Sequence, residues 1–492
     1  MFNSIAKNLI SNSTIKNTPI IILHYLNGEW VKSQSGKYIA VENPATEQIV
    51  GYVSDATAQE AQMALETSEK AQLLWQELSV IERAKHIQNI IDCLQEEITH
   101  FAEILTKEQG KTYAEALCEV EDTINYMRQA IEGAKRIKGE ILPTVNSEES
   151  LLINRVPYGV TLGLCTWNYP LALVGRKLAP ALITGNTIII KPHDLTPLAT
   201  AEFFRIIDKA QIPQGVVNLI TSSGIEVSQQ LVSSPITKLV NVTGSVGAGQ
   251  AIYRAAAQNI SGLVLELGGK SPFIVLKDAD IDKAVEAAVI SRYANCGQVC
   301  ICCDMIFVEE SIVEEFTEKL LKRVAQIKVG NPFDSTTNMG PKMCKSDLEK
   351  IDGIVQRTLS QGAKLLCGGE SPKGAEFEKG YWYEPTVLGD VTPDMAAAQV
   401  AAFRSDILTA NGDVTPTSWQ EVFSLASKYP NSVAIPFVPV HVYSSFFTLA
   451  SHLNDKPFWS DGSNLDLEVG EHTLDLLIKL LSSVKQYIWK RE

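Results

Sequence analysis

The sequence predicts an α/β chain built on a doubly wound, mainly parallel sheet, and three observations carry that prediction. Between residues 160 and 218, short β-branched runs (160–164, 187–190) alternate with helix-length apolar patterns (171–182, 198–210). Strands separated by crossovers of helical length pair in parallel and bury both faces. A strand-like run at 239–243 enters Gly244-Ser245-Val246-Gly247-Ala248-Gly249 and a helical pattern through Ala257, so a glycine turn has a strand before it and a helix after it. Finally, 492 residues with 45% hydrophobic and 20% charged side chains are enough for two or three domains, each with its own core.

In chain order, the first twenty residues carry Lys7 and Lys16, no acid, and many Ser, Asn and Ile. Without arginine or a clear cleavage site they read as a disordered lead-in, extending to residue 23, rather than a transit peptide. Residues 25–30 form a hairpin strand pair around the Asn27-Gly28 turn, and further strand pattern runs over 31–41. Thr57-x-x-Glu60 is a capping box that opens a helix over 58–75. Ser79-x-x-Glu82 opens another, with Ile87, Ile90, Ile91 and Leu94 at helical spacing. Residues 140–160 turn strand-like again, Ile141-Leu142-Pro143 and Leu151-Leu152-Ile153 bracketing a polar tip. A helix over 281–291 and a strand over 305–309 flank a cysteine-rich segment.

A net charge of −14 argues against a nucleic acid or anionic membrane as a partner, since both need a basic face. No apolar run reaches the ~18–20 residues of a membrane span. Nine cysteines without paired spacing suit a reducing compartment, so the default location is cytoplasmic.

Four of those nine cysteines fall in Cys296-Gly297-Gln298-Val299-Cys300-Ile301-Cys302-Cys303. Buried cysteines commonly serve as small hydrophobes, and this cluster has a single two-residue-spaced pair, Cys300 and Cys303, without the second pair or nearby histidine of a zinc site, so no metal is expected. A nucleophilic thiol must be a thiolate, held by a cation, a helix N-terminus or hydrogen bonds. Thirty-four positions before Cys300 stands Glu266, in Leu263-Val264-Leu265-Glu266-Leu267-Gly268-Gly269-Lys270. A carboxylate in an apolar strand end is either a solvated terminus or a buried group whose pKa rises toward that of a general base.

Glu-Leu-Gly-Gly-Lys followed at this distance by Gly-Gln-x-Cys resembles the paired active-site signature of the aldehyde dehydrogenase superfamily. Motif order is similar from about residue 26 to 395, most nearly to lactaldehyde and glycolaldehyde dehydrogenases. The resemblance implies a Rossmann-type NAD-binding domain over 24–266, with an oligomerisation hairpin near 140–160, and an α/β catalytic domain from 267. It implies NAD-dependent oxidation of a small aldehyde to its acid through a cysteine thiohemiacetal and thioester, with Cys300 as nucleophile and Glu266 as base. Asn168, in Cys165-Thr166-Trp167-Asn168-Tyr169-Pro170, matches the asparagine that donates to the oxyanion together with the nucleophile's N–H; otherwise it reads as a turn residue. Thr166 stands where the family usually has proline, and Thr166 and Trp167 fall on the cofactor side. Lys191 and Asp194 match the positions that hold the adenosine ribose, where a carboxylate repels a 2′-phosphate and favours NAD over NADP. Asp194 is one methylene shorter than the usual glutamate. Gly244, Ser245 and Gly249 resemble the family's Gly-Ser-x-x-x-Gly loop, with the pyrophosphate at a helix N-terminus.

The resemblance stops near Gln399. The family continues with Glu-x-Phe-Gly-Pro, whose glutamate holds the nicotinamide ribose, whereas this chain reads Ala397-Ala398-Gln399-Val400-Ala401-Ala402-Phe403. The expectation is a catalytic domain truncated at 399, followed over 400–492 by an unrelated, mostly helical segment that resembles a fragment of an extracellular sugar-type solute-binding protein. Such a join reads as a fusion or mis-joined frame, and the alternative to an active enzyme is a catalytically dead chimera. A family-type homo-oligomer is implied by the hairpin but would lack the strands this tail replaces.

Overall fold

The computed structural model describes residues 19–145, 148–391 and 395. The expected tail over 400–492, and the lead-in up to residue 18, lie outside the described residues.

The chain opens with β1 (Ile20–Ile22), β2 (His24–Leu26), β3 (Glu29–Val31), β4 (Tyr38–Asn43) and β5 (Gln48–Ser54). β1 corrects the expectation that residues through 23 form a disordered lead-in: Ile20, Ile21 and Ile22 pair in parallel with Gly51, Tyr52 and Val53. A β-branched run finds a sheet edge there and buries Ile22. β2 and β3 form the predicted hairpin, with Asn27 and Gly28 both at positive φ (52° and 79°), as a tight two-residue turn requires.

Helices α1 (Ala58–Trp75), α2 (Val80–Gln95), α3 (Ile98–Gln109) and α4 (Tyr113–Gly133) come next. Complete capping boxes start α1, α2 and α4, through Thr57 with Glu60, Ser79 with Glu82, and Thr112 with Glu115. β6 (Glu140–Pro143) and β7 (Ser150–Ile153) make an antiparallel hairpin exposed along its whole length, with Ile141 76% and Leu152 61% accessible.

The doubly wound part then runs β8 (Val160–Leu164), α5 (Pro170–Ile183), β9 (Thr187–Lys191), α6 (Leu198–Lys209), β10 (Val217–Leu219), α7 (Ile225–Ser233), β11 (Thr237–Gly244), α8 (Val246–Ala256) and β12 (Gly262–Leu267). These strands pair in parallel in the order β12-β11-β8-β9-β10, and β2 and β3 extend the sheet antiparallel beyond β10. Pleating divides the strand side chains: Ile188 and Ile190 join the core with α2, α5 and α6, whereas Ile189 faces the core shared with α1 and α7. From β8 the chain winds outward through β9 and β10, then returns to the other side of β8 as β11. The strand order therefore reverses between β8 and β11, the place where such sheets bind ligands.

β13 (Ser271–Val275), α9 (Ile281–Tyr293), β14 (Cys303–Val308), α10 (Val313–Val324), α11 (Lys345–Ser360), β15 (Lys364–Cys367) and β16 (Val387–Gly389) complete the described elements. They have a core of their own, with Val275, Val285, Val289, Phe316, Leu320 and Val324 at its centre. β13 and β14 form a parallel pair. Ile274 and Phe307 on it are 53% and 36% accessible, so this sheet is covered on one face only.

Candidate active site

Three segments converge at the carboxyl edge of the sheet. β8 ends at Leu164 and feeds Cys165-Thr166-Trp167-Asn168, after which Pro170 starts α5. β12 runs into Gly268-Gly269-Lys270, and β13 begins beside β14 with Ser271 paired to Cys303. That pairing brings the Glu266 segment to the cysteine segment: a Cβ on Gly269 would sit 3.8 Å from the Cys300 carbonyl oxygen. Lys270 and Asp304 close the same seam as an ion pair of 2.8 Å.

The cysteines differ sharply. Cys300 is exposed, Cys296 and Cys302 are half-buried, and Cys303 is buried. Burial pushes the thiols of Cys296 and Cys303 up, away from the thiolate. The Arg292 guanidinium sits over Cys302 (Nη1 to Sγ 3.3 Å) rather than Cys300. Cys300 is therefore the accessible thiol of the cluster.

Asn168 adjoins the cysteine loop, but its amide is not turned toward an empty acceptor position as expected. Its Nδ2 donates to the Gln298 carbonyl at 3.0 Å, and its buried Oδ1 has no partner among the described residues. The carbonyl two residues before the thiol takes one of the two amide protons, leaving the other for a substrate oxygen. For Glu266 the solvated one of its two sequence readings holds, and the side chain is exposed. β12 is the last strand on its side of the sheet, and Glu266 alternates outward with Val264, itself 40% accessible. Glu266 reads here as a solvated carboxylate within the seam.

The dinucleotide positions lie around the switch point. Ser245 caps α8, accepting from the Ala248 N–H at 3.1 Å, and residues 245–248 are exposed or half-buried, so the helix N-terminus opens to solvent. Gly249 is needed for packing, because a Cβ there would meet the Leu267 side chain at 2.8 Å. Gly244 borders the same opening at the end of β11. Across it, Thr166 and Trp167 are half-buried, and the Trp167 carbonyl accepts from Thr196 Oγ1 at 3.2 Å. Lys191 donates to the Ser222 carbonyl at 3.2 Å; burial lowers its pKa, and Asp194 and Asp55 oppose that shift. Asp194 lies 2.8 Å from His193 Nδ1, which holds its carboxyl below the usual range, with Lys191 a smaller influence in the same direction. An anion-ready helix N-terminus beside a lysine and an ionised aspartate fits a dinucleotide with one pyrophosphate and a ribose diol.

Several site residues escaped the sequence reading. Lys177 is buried in α5 and donates to Asn241 Oδ1 (3.0 Å) and Thr243 Oγ1 (2.6 Å). Burial lowers its pKa, and the Glu266 charge is among the smaller influences that oppose the shift. A lysine inside the apolar stretch 171–182 was the available signal. Lys111 and Glu119 form a fully buried pair of 2.5 Å beneath Asn168, and Glu115 reaches the cysteine loop. The capping box at Thr112 was a visible sign for Glu115.

The comparisons with known proteins agree with this geometry. The profile of the aldehyde dehydrogenase family matches residues 30–404. The chain is similar to 3,6-anhydro-alpha-L-galactose dehydrogenase of Vibrio sp. (strain EJY3), 38% identical over 83% of each chain. It is also similar to lactaldehyde dehydrogenase of Escherichia coli, 38% identical over 77% of this chain and 78% of that one. D-glyceraldehyde dehydrogenase (NADP(+)) of Picrophilus torridus is 36% identical over 77% of each. Among solved structures, a 3,6-anhydro-L-galactose dehydrogenase superposes with a TM-score of 0.76 at 36% identity, over 87% of this chain and 89% of that one. A Staphylococcus aureus betaine aldehyde dehydrogenase in complex with NAD+ gives 0.75 at 32%, over 77% of each. A doubly wound dinucleotide sheet joined to a cysteine loop defines an oxidoreductase of the thiol type, and the chain belongs to the aldehyde dehydrogenase family.

Proposed function

We propose that the chain oxidises a small hydroxylated aldehyde, of the lactaldehyde or glycolaldehyde kind, to its carboxylic acid, with Cys300 as nucleophile. The exposure of Cys300 between tethered or buried thiols is the observation that carries this reading. The Cys300 sulfur adds to the aldehyde carbon, and the resulting alkoxide is held by the free proton of Asn168 Nδ2 and the Cys300 N–H. A nicotinamide dinucleotide, when bound, accepts the hydride that leaves the same carbon. The thioester that remains on Cys300 is attacked by water whose proton Glu266 takes, and the acid departs as the thiol is restored. Exposure of Glu266 gives it the access to water that this step needs.

Lys191, Asp194, Gly244, Ser245 and Gly249 would hold the adenosine half of the cofactor, with Thr166 and Trp167 facing the nicotinamide side. NAD is the preferred form, because the ionised Asp194 repels a 2′-phosphate. Relatives include an enzyme named for NADP and one bound to NAD+, so the chemistry of this position decides for this chain. Nine free thiols support a reducing, cytoplasmic setting. The exposed β6–β7 hairpin supports pairing with a second copy. The domain limits at 24–266 and 267–399 draw support from the separate core that begins near Phe273. The sequence after residue 395 lacks the family's Glu-x-Phe-Gly-Pro, and the accessible Ile274 and Phe307 favour a chain whose turnover is low. The test is a single turnover with NAD and lactaldehyde, quenched in acid and mapped by peptide mass spectrometry. An acyl adduct on Cys300 is expected, and an adduct confined to Cys302 or Cys303 would overturn the assignment.

A further inference from the structure

We propose that Glu115 is a positioning residue for the nucleophile, acting from α4 to hold the backbone kink that begins the Cys300 loop. The inference rests on the reading of Cys300 as nucleophile. The loop leaves α9 through Asn295 and Cys296, whose φ values of 49° and 56° put two successive non-glycine residues in the left-handed region. Each such residue is strained and persists only where the surroundings over-determine it.

Glu115 supplies that determination on the Asn295 side, while on the other side Lys342 donates to the Cys296 carbonyl at 3.2 Å and the Met343 N–H to Gln298 Oε1 at 2.9 Å. Glu115 Oε1 accepts the Asn295 N–H at 2.7 Å, and its Oε2 accepts from Thr112 N and Oγ1 at 2.9 and 2.8 Å. The carboxylate is thus pinned by the start of its own helix while it holds a residue 180 positions away in sequence. From Asn295 the connection continues: its Nδ2 donates to the Asn168 carbonyl at 3.0 Å, and its carbonyl accepts from Gln298 Nε2 at 3.1 Å. Asn168 Nδ2 returns to the Gln298 carbonyl. The same helix holds the Asn168 side from below through Glu119, whose Oε1 accepts from Leu171 and Ala172 at the start of α5 and which pairs with Lys111, just before the helix, as Lys111 donates to the Asn168 carbonyl at 2.9 Å. One helix therefore fixes both the oxyanion donor and the thiol loop, and Glu115 is its only contact on the loop side that does not pass through Asn168 among the described hydrogen bonds. Losing it frees the kink to relax and shifts Cys300 relative to Asn168, where a misplacement of about 1 Å lowers a rate by roughly 100-fold.

The assay needs no cofactor: the unaltered 492-residue chain is mixed with p-nitrophenyl acetate, and a burst of p-nitrophenolate is the readout of attack by Cys300. Glu115→Ala should slow the burst at least roughly tenfold with the ester concentration at half-saturation little changed. Ser79→Ala removes a cap of the same kind from α2, which does not touch the loop, so its burst rate should match that of the unaltered chain. Adding Cys296→Gly to Glu115→Ala, which lets glycine take one left-handed position without strain, should recover part of the rate. Melting curves for all four proteins separate folding from positioning. Equal slowing in Ser79→Ala and Glu115→Ala, or a Glu115→Ala burst within about twofold of the unaltered chain, overturns the role of Glu115 while leaving Cys300 as nucleophile. A burst that survives in Cys300→Ser overturns both.

Discussion

Cys300 and Cys302 are two residues apart and differ in everything that governs a nucleophile. Cys302 accepts from Arg292 and sits half-buried, whereas Cys300 stands open beside Gly269. Cys300→Ser should abolish aldehyde-dependent acylation, while Cys302→Ser and Cys303→Ser retain it, as read by intact-protein mass after a quenched single turnover. Glu266 belongs to the following step. In a chain given a family-type C-terminus, Glu266→Gln should release NADH in a burst near one per site and then nearly stop, with the thioester accumulating. No burst at all would show that the carboxylate serves the thiol instead. For these residues the motifs made the spacing of Glu266 and Cys300 legible, and Gly269 does approach the Cys300 loop. Whether Glu266 is solvated or buried stayed open in the sequence, because an apolar strand pattern does not reveal whether the strand lies at a sheet edge.

Among the elements, α3 and α4 carry buried charge that the strand-and-helix pattern hid. Glu108, fully buried at the end of α3, accepts from the Leu198 and Ala199 amides at 2.7 and 2.8 Å and so caps α6. Burial pushes its carboxyl up to about 8, against the pull of those two amides. A carboxyl that holds its proton more tightly folded than unfolded contributes stability that is complete below its ordinary value, near 4.5, and is lost as pH rises through about 8. Urea midpoints should therefore fall across that window, and Glu108→Gln should flatten the fall; a steeper decline in the variant would contradict this assignment. The α8 turn makes a different demand. Gly249→Val drives a side chain into Leu267, so it should cost ~1–3 kcal/mol of stability and weaken dinucleotide binding through displacement of the helix N-terminus. Denaturant melts and NADH fluorescence titration measure the two effects. The glycine turn itself was readable, because strand, turn and helix are local; the buried Lys111–Glu119 pair was not, because its purpose exists only where Asn168 arrives from another part of the chain.

For the whole molecule, the fold was legible wherever strand and helix alternate, from β8 to β12, and the hairpin β2–β3 was given away by Asn27-Gly28. β1 was missed because three isoleucines reveal a strand only once β5 lies beside them. On the proposed reading, activity depends on the balance between the adenosine-side residues Lys191, Asp194 and Ser245 and a sequence beyond residue 395 that lacks Glu-x-Phe-Gly-Pro. On that reading, the absence of the glutamate that the resemblance implies on the nicotinamide ribose should remove one charged hydrogen bond, a loss of ~1.5–3 kcal/mol. The accessible Ile274, Phe307, Leu365 and Leu366 add apolar surface that lowers solubility. Residues through about 395 are thus expected to act as an NAD-dependent aldehyde-oxidising core whose turnover is limited by the sequence from Gln399 onward. The decisive measurement is NADH formation with glycolaldehyde and lactaldehyde for the 492-residue chain beside a version whose residues from Gln399 are replaced by a family-type C-terminus. The replaced version should turn over and the unaltered chain should bind NAD weakly with little or no turnover; equal rates in the two would contradict that limit.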